Sequence, residues 1–241
     1  MCSSDLVEAL TALYYGGVMK FDAKNPRWDK RDRFLASKGH GCVALYPILA
    51  DLGFIGKDEL ATVCKPGSRL GGIPDAHIPG VETTNGSLGH GLGMACGIAL
   101  GLRQRKSDAF VYTLLGDGES CEGSVWEAVM FAGQQKLDNL VMILDANGVS
   151  MLDYTRNIIN LEPFDQKFRD FGWEVVVLDG HDPVAIHNTL VKFRQPGTPR
   201  PKAIVAHTVK GKGVPHLETD SMSHIKTLKP EQIAAILRPE E

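Results

Sequence analysis

The chain has 241 residues, 43% of them hydrophobic and 23% charged, enough for a sizeable core. Its 26 basic and 29 acidic residues leave a formal charge of −3, so composition gives no reason to expect nucleic acid or an anionic membrane as a partner. No apolar run approaches the ~20 residues that cross a bilayer, and the opening MCSSDLVEALTALYY lacks the charged and apolar regions of a secretion signal.

The five cysteines (Cys2, Cys42, Cys64, Cys96 and Cys121) form no C-x-x-C pair. Such a set reads as reduced thiols packed as small apolar groups in a cytoplasmic protein. Residues 4–15 predict a helix capped by Ser4 or Asp5, with Leu6, Leu10 and Leu13 on one face. The segment 21–34, which contains Pro26, reads as a polar connector. Residues 41–52 suggest a second helix that Pro47 could kink. From 65 to 87 the chain is rich in Gly, Pro and Thr, and a loop of that length is seldom idle.

Residues 88–103 keep helical periodicity although Gly89, Gly93, Gly97 and Gly101 recur every four residues along one face. Each costs about 1 kcal/mol against Ala in a helix interior. The stripe therefore predicts a close neighbour, either a packed helix or a cofactor. Strand-like runs follow at 110–115, 139–144, 174–178 and 203–207, with helical stretches at 124–136 and 182–194. Trp126 and Phe131 are assigned to the core. The remainder, 208–241, reads as a basic glycine loop and a polar helix. This alternation predicts an α/β fold, a parallel sheet flanked by helices, as a single domain over 1–241.

Two turns hold the chemistry. Asp117, in G-D-G, follows the run 110–115, and Asn147, in N-G, follows 139–144. Parallel strands of one βαβ unit end on the same sheet edge, where ligands bind. The helix starting near Ser124 is expected to aim its N-terminus at the same place. One carboxylate and one amide oxygen suit Mg²⁺ or Ca²⁺ already holding phosphate oxygens, which points to a metal–diphosphate complex. G-D-G and N-G are also ordinary turn sequences, so these residues alone leave both readings open. A plain nucleotide-binding domain is disfavoured, because neither G-x-x-x-x-G-K-S/T nor a post-strand G-x-G-x-x-G is present.

G-D-G followed some thirty residues later by N resembles the motif of thiamine-diphosphate enzymes. "GDGESCEGSVWEA" with "LDNLVMILDANG" is similar to the N-terminal, diphosphate-binding part of the transketolase family. "RDRFLASKGHGCVALYPILADLGF", "PGVETTNGSLGHGLGMACGIALG" and "VKGKGVP" resemble further segments of that family, in family order. The resemblance implies a thiamine-diphosphate-binding fold of the diphosphate-binding (PP) type. It implies Asp117, Asn147 and the backbone carbonyl of Val149 as metal ligands, with Gly118 and Asn147 at the diphosphate. Gly86, Ser87 and Leu88 would lie against the cofactor rings, and His40 near the diphosphate and the reacting carbon. Glu122 and Glu127 would link cofactor sites across a dimer, although helix-start carboxylates in solvent explain them equally well. His224 matches, more loosely, a histidine of the active centre.

The implied activity is transfer of a two-carbon ketol unit from a ketose or ketose phosphate to an aldose, with thiamine diphosphate and Mg²⁺ or Ca²⁺. Nothing in the chain resembles the family's pyrimidine-binding and C-terminal domains. The resemblance thus implies a separate partner chain, a 2+2 heterotetramer, and activity only in the assembly. The family's S-G-H-x-G segment, expected ahead of MCSSDL, is not in this sequence, so either the start is missing here or the protein lacks that histidine. Where the family has G-H-P, this chain has Gly72-Ile73-Pro74, so either the donor differs or His77 takes over from the same loop. Rival readings are another thiamine-diphosphate enzyme, of the 2-oxo-acid dehydrogenase or deoxyxylulose-phosphate synthase type, and a non-catalytic regulatory subunit. Donor and acceptor stay open.

Overall fold

The computed structural model describes residues 4–220, 222–224, 226 and 228–236, leaving Cys2 and the last five residues outside them. Five strands, β1 (Arg33–Ala36), β2 (Val111–Gly116), β3 (Leu140–Ala146), β4 (Glu174–Asp179) and β5 (Lys202–His207), form one sheet in the order β1-β2-β3-β5-β4. Every pairing is parallel. β2 and β3 are buried at every position, which is why they read as continuous apolar runs rather than alternating ones.

The helices are α1 (Val7–Tyr14), α2 (Cys42–Asp51), α3 (Gly91–Gln104), α4 (Gly123–Gln135), α5 (Thr155–Ile158), α6 (Phe164–Asp170), α7 (Pro183–Phe193), α8 (Pro215–Glu218) and α9 (Pro230–Ile236). On one sheet face, Leu10 and Leu13 of α1, Leu45 and Leu49 of α2 and Ile186 and Leu190 of α7 pack with Tyr112, Leu114, Val141 and Ile143. On the other, α3, α4 and α6 pack through Leu92, Ala95, Val125, Val129 and Phe168 against Val111, Leu115, Met142 and Leu144. Asp182 caps α7 by accepting from the amides of Val184 and Ala185, and Pro183 occupies the first turn, where its missing N–H is harmless.

Several expectations need correction. The connector 21–34 runs into a strand: Arg33–Ala36 is β1, an edge strand of four residues paired only with β2. Its brevity leaves no period to detect. The glycine stripe is mostly bare. A Cβ at Gly93, Gly97 or Gly101 would meet nothing within 4 Å, whereas Gly89 and Gly91 abut Glu122 and Ser37. The close approach is thus confined to the start of α3. Phe131 is 41% exposed, not core, while Trp126 stacks on Phe168 as expected. Asp5 is buried but does not cap α1, whose N-cap is Leu6 without a side-chain bond. Cys42 and Cys96 are buried free thiols, but Cys64 is exposed. Among the described residues no helix is long and apolar enough to cross a membrane.

Candidate active site

β2 and β3 run side by side with Gly116 opposite Asp145, so the residues just beyond them share one edge. The Asp117 carboxylate reaches across that edge and accepts the Gly148 amide through Oδ2 at 2.6 Å and the Gly118 amide through Oδ1 at 2.7 Å. Gly148 can offer its amide there because its φ is +72°, a conformation a side chain would strain. Asn147 turns its amide oxygen back to the Val149 N–H at 2.9 Å. The two expected ligand side chains therefore sit on adjoining turns and line a common cavity of about 300 Å³.

The rest of the cavity wall comes from the neighbours of these two turns, Gly116, Gly118 and Glu119 among them, and from three other segments. Lys38 and His40 stand after β1, Ile73, Gly86 and Leu88 come from the long loop, Val149, Ser150 and Met151 follow Asn147, and His224 closes one side. His40 and His224 face each other edge to face with ring centroids 4.8 Å apart. Burial and the nearby Lys38 ammonium pull His40 down to about 3. Burial and the Lys210 ammonium pull His224 down to about 4. Both imidazoles are neutral at pH 7, and Nε2 of His40 is buried with no partner among the described residues.

Asp117 is 4% exposed, and burial together with the neighbouring Asp145 carboxylate pushes it up to about 7. A carboxylate held at that cost, with two backbone donors and the nearby Lys38 charge opposing it among the described residues, is a site that a cation would relieve. Beneath it lies a buried ionic cluster. Lys38 pairs with Asp145 and, at 3.2 Å, with Asp5, while Lys210 reaches Asp5 at 3.1 Å. Thr208 also donates to Asp145. Burial opposes ionisation of Asp5, but the two lysines hold its carboxyl well below the usual range. Glu119 is buried as well, accepting from Ser37 and from the amides of Gly89 and Gly116, and so ties the start of α3 to the end of β2.

Of the residues singled out in the sequence, Asp117, Asn147, Val149, Gly118, Gly86, Leu88, His40 and His224 line this one cavity, and Ser87, exposed beside Leu88, does not. Glu122 and Glu127 lie outside it and are exposed. The N-terminus of α4 abuts Gly89 rather than the cavity, whose lining on this segment stops at Glu119. Ile73 is in the wall, but His77 is not: its ring is bound to Asp75 and borders a separate surface depression. Sequence reasoning missed Asp5, Lys38, Glu119, Asp145 and Lys210. Lys38, Glu119, Asp145 and Lys210 lay within the quoted family stretches, whereas Asp5 was read only as a helix cap.

Comparison with known proteins gives the family and supports the fold. The model of the transketolase thiamine diphosphate binding domain matches residues 5–239, and the chain belongs to that family. A 6-deoxy-6-sulfo-D-fructose transketolase subunit from Clostridium sp. (strain MSTE9) is 40% identical, over 95% of this chain and 83% of its own length. An apulose-4-phosphate transketolase subunit from Phocaeicola vulgatus is 38% identical, over 96% and 82%. The crystal structure of transketolase from Campylobacter jejuni superimposes with a TM-score of 0.88 at 30% identity, over 97% of this chain and 40% of that structure. The chain thus spans well under half the length of the solved transketolase.

Proposed function

We propose that this chain, as one domain over 1–241, is the N-terminal subunit of a two-chain transketolase. In this reading it holds thiamine diphosphate through a divalent cation, Mg²⁺ or Ca²⁺. Together with a partner carrying the pyrimidine-binding and C-terminal domains, it moves a two-carbon ketol unit from a ketose or ketose phosphate to an aldose. The observation that carries it is the meeting of Asp117 and Asn147 on one cavity floor. Two relatives of similar length bear the name of transketolase subunits, which supports a separate partner. A 2+2 assembly in the cytoplasm, where the unpaired thiols would stay reduced, completes the proposal.

The residues present fit the cofactor. Asp117 and Asn147, with the Val149 carbonyl, offer the all-oxygen set that a hard cation carrying phosphates takes. Gly118 leaves the backbone open toward the diphosphate, while Gly86 and Leu88, with Ser87 at the rim, give its rings a surface. Thiamine diphosphate bound there would supply an electron sink for breaking the bond beside a ketose carbonyl. His40 and His224, neutral at pH 7, can accept or donate a proton to sugar hydroxyls, and Nε2 of His40 has no partner among the described residues. Ile73 presents a methyl-bearing wall with no hydrogen bond to give, so the donor should lack a hydroxyl contact at that point. Glu122 and Glu127, exposed here, are free to meet a second copy in the assembly.

The test is reconstitution. With thiamine diphosphate and Mg²⁺, the isolated chain is expected to give no ketol transfer, and addition of the partner to restore it. Turnover by the single chain would overturn the two-chain reading. A reconstituted pair that binds the cofactor without turnover would point instead to a regulatory subunit.

A further inference from the structure

We infer that Asp5 is a positioning residue for the cation site: with Asp145, it fixes which end of the Asn147 amide is presented to the cavity. This deepens the proposed role of Asn147 as a cation ligand and rests on it. The two hydrogens of Asn147 Nδ2 are both engaged, one by Asp5 Oδ2 at 3.0 Å and one by Asp145 Oδ2 at 2.7 Å. At the other end, Oδ1 accepts from the Val149 N–H. Both carboxylate oxygens already accept from the Lys38 ammonium, so they can only accept from Asn147 as well, and a backbone N–H can only donate. Turning the amide over would set its oxygen against two carboxylates and its NH₂ against an N–H, so three hydrogen bonds would be lost together. A cation needs an oxygen at this position and would be repelled by an NH₂ group. The buried pair of acids thus makes Asn147 an oxygen ligand in advance.

The placement of Asp5 has no local explanation. It is 2% exposed, its Oδ1 has no partner among the described residues, and α1 is not capped by it. Lys38 and Lys210 offset its charge, but a counter-ion alone would not require contact with an amide 142 residues away. The N-terminal segment is therefore part of the cation site without touching the cation.

Manganese binding to the assembled two-chain protein, followed by electron paramagnetic resonance with saturating thiamine diphosphate, tests this. Asp5→Ser is expected to weaken Mn²⁺ about tenfold, the scale of losing an outer partner of a metal ligand. The control is Asp32→Asn, which cuts the ion pair between buried Asp32 and half-buried Arg194 at the opposite sheet edge. It should lower Tm and leave Mn²⁺ affinity unchanged. Equal Mn²⁺ affinity in Asp5→Ser and the parent protein, or an equal loss in Asp32→Asn, overturns the inference. If Asp5→Ser does not fold, hydrogen exchange of the ¹⁵N-labelled Asn147 side chain decides. Both amide hydrogens should exchange slowly, and rapid exchange of either one overturns it. A parent protein that binds no Mn²⁺ fails at the earlier step, the reading of Asn147 as a ligand.

Discussion

Both ends of the sheet bury charge, but only one leaves it unfinished. Beyond the amino ends of β1 and β2, Asp32 accepts from the Phe110 amide through Oδ1, and from the Lys20 amide and Arg194 through Oδ2. Arg194 donates also to Tyr112 and lies 4.5 Å over the Phe110 ring. That cluster is closed, with each charge matched by a group of the fold. Beyond the carboxyl ends, Asp117 and His40 line a cavity, and among the described residues the Asp117 carboxyl has no ion-pair partner and Nε2 of His40 no hydrogen-bond partner. A closed cluster makes structure. An open one in a parallel sheet makes a site, because the loops at that edge need not pack on one another.

The sharpest way to break the contrast is to remove one acid from each end. Asp117→Ala should weaken cation-dependent binding of thiamine diphosphate by at least about a hundredfold in the assembled protein, measured by calorimetry. Asp32→Ala should cost about 1–3 kcal/mol of stability, because the Lys20 and Phe110 amides and the half-buried Arg194 lose their acceptor, while cofactor affinity is unchanged. The reverse pattern would mean that the open and closed ends have been misassigned.

The pH dependence is next in size. Native Asp117 holds its proton to about 7, and the unfolded chain releases it near 3.8. Between those values the folded state binds more protons, so this group's contribution to stability falls as pH rises. Asp117→Asn, neutral throughout, should gain on the parent protein between pH 4 and 8 by up to about 4 kcal/mol without cation, read from urea unfolding. A constant offset across that range would remove the argument that burial strains this carboxyl.

Smaller effects refine the open end. Ile73→His adds a donor to the cavity wall and should raise kcat/KM on ordinary ketose phosphates by about tenfold. No change in the ratio of donors would end the case for Ile73 as a specificity determinant. Least of all, Gly97→Ala on the bare face of α3 should add about 1 kcal/mol to stability. A loss of assembly instead would show that a neighbour covers the face.

How much could be read beforehand follows from range. The helices 7–14, 42–51, 123–135 and 183–193 and the strands from β2 to β5 were visible because burial imposes a period, or an unbroken apolar run, on adjacent residues. β1 escaped, since four residues at an edge carry no period. Asp117 and Asn147 were legible because a turn beyond a strand is a local event, and parallel pairing then brings the two together. His40, Gly86, Leu88 and Val149 came through the family's motifs rather than from physics.

By itself, the order of residues determined most of the elements, their parallel pairing and the sheet edge on which chemistry is possible, all matters of neighbours along the chain. Only the folded structure decided that Asp5, Lys38, Asp145 and Lys210 form one buried cluster under Asn147. Only the fold placed Ile73 in the cavity wall and left His77 outside it. Those outcomes depend on burial and charge compensation between segments up to 205 residues apart, and no local pattern encodes which distant partner will satisfy a buried charge.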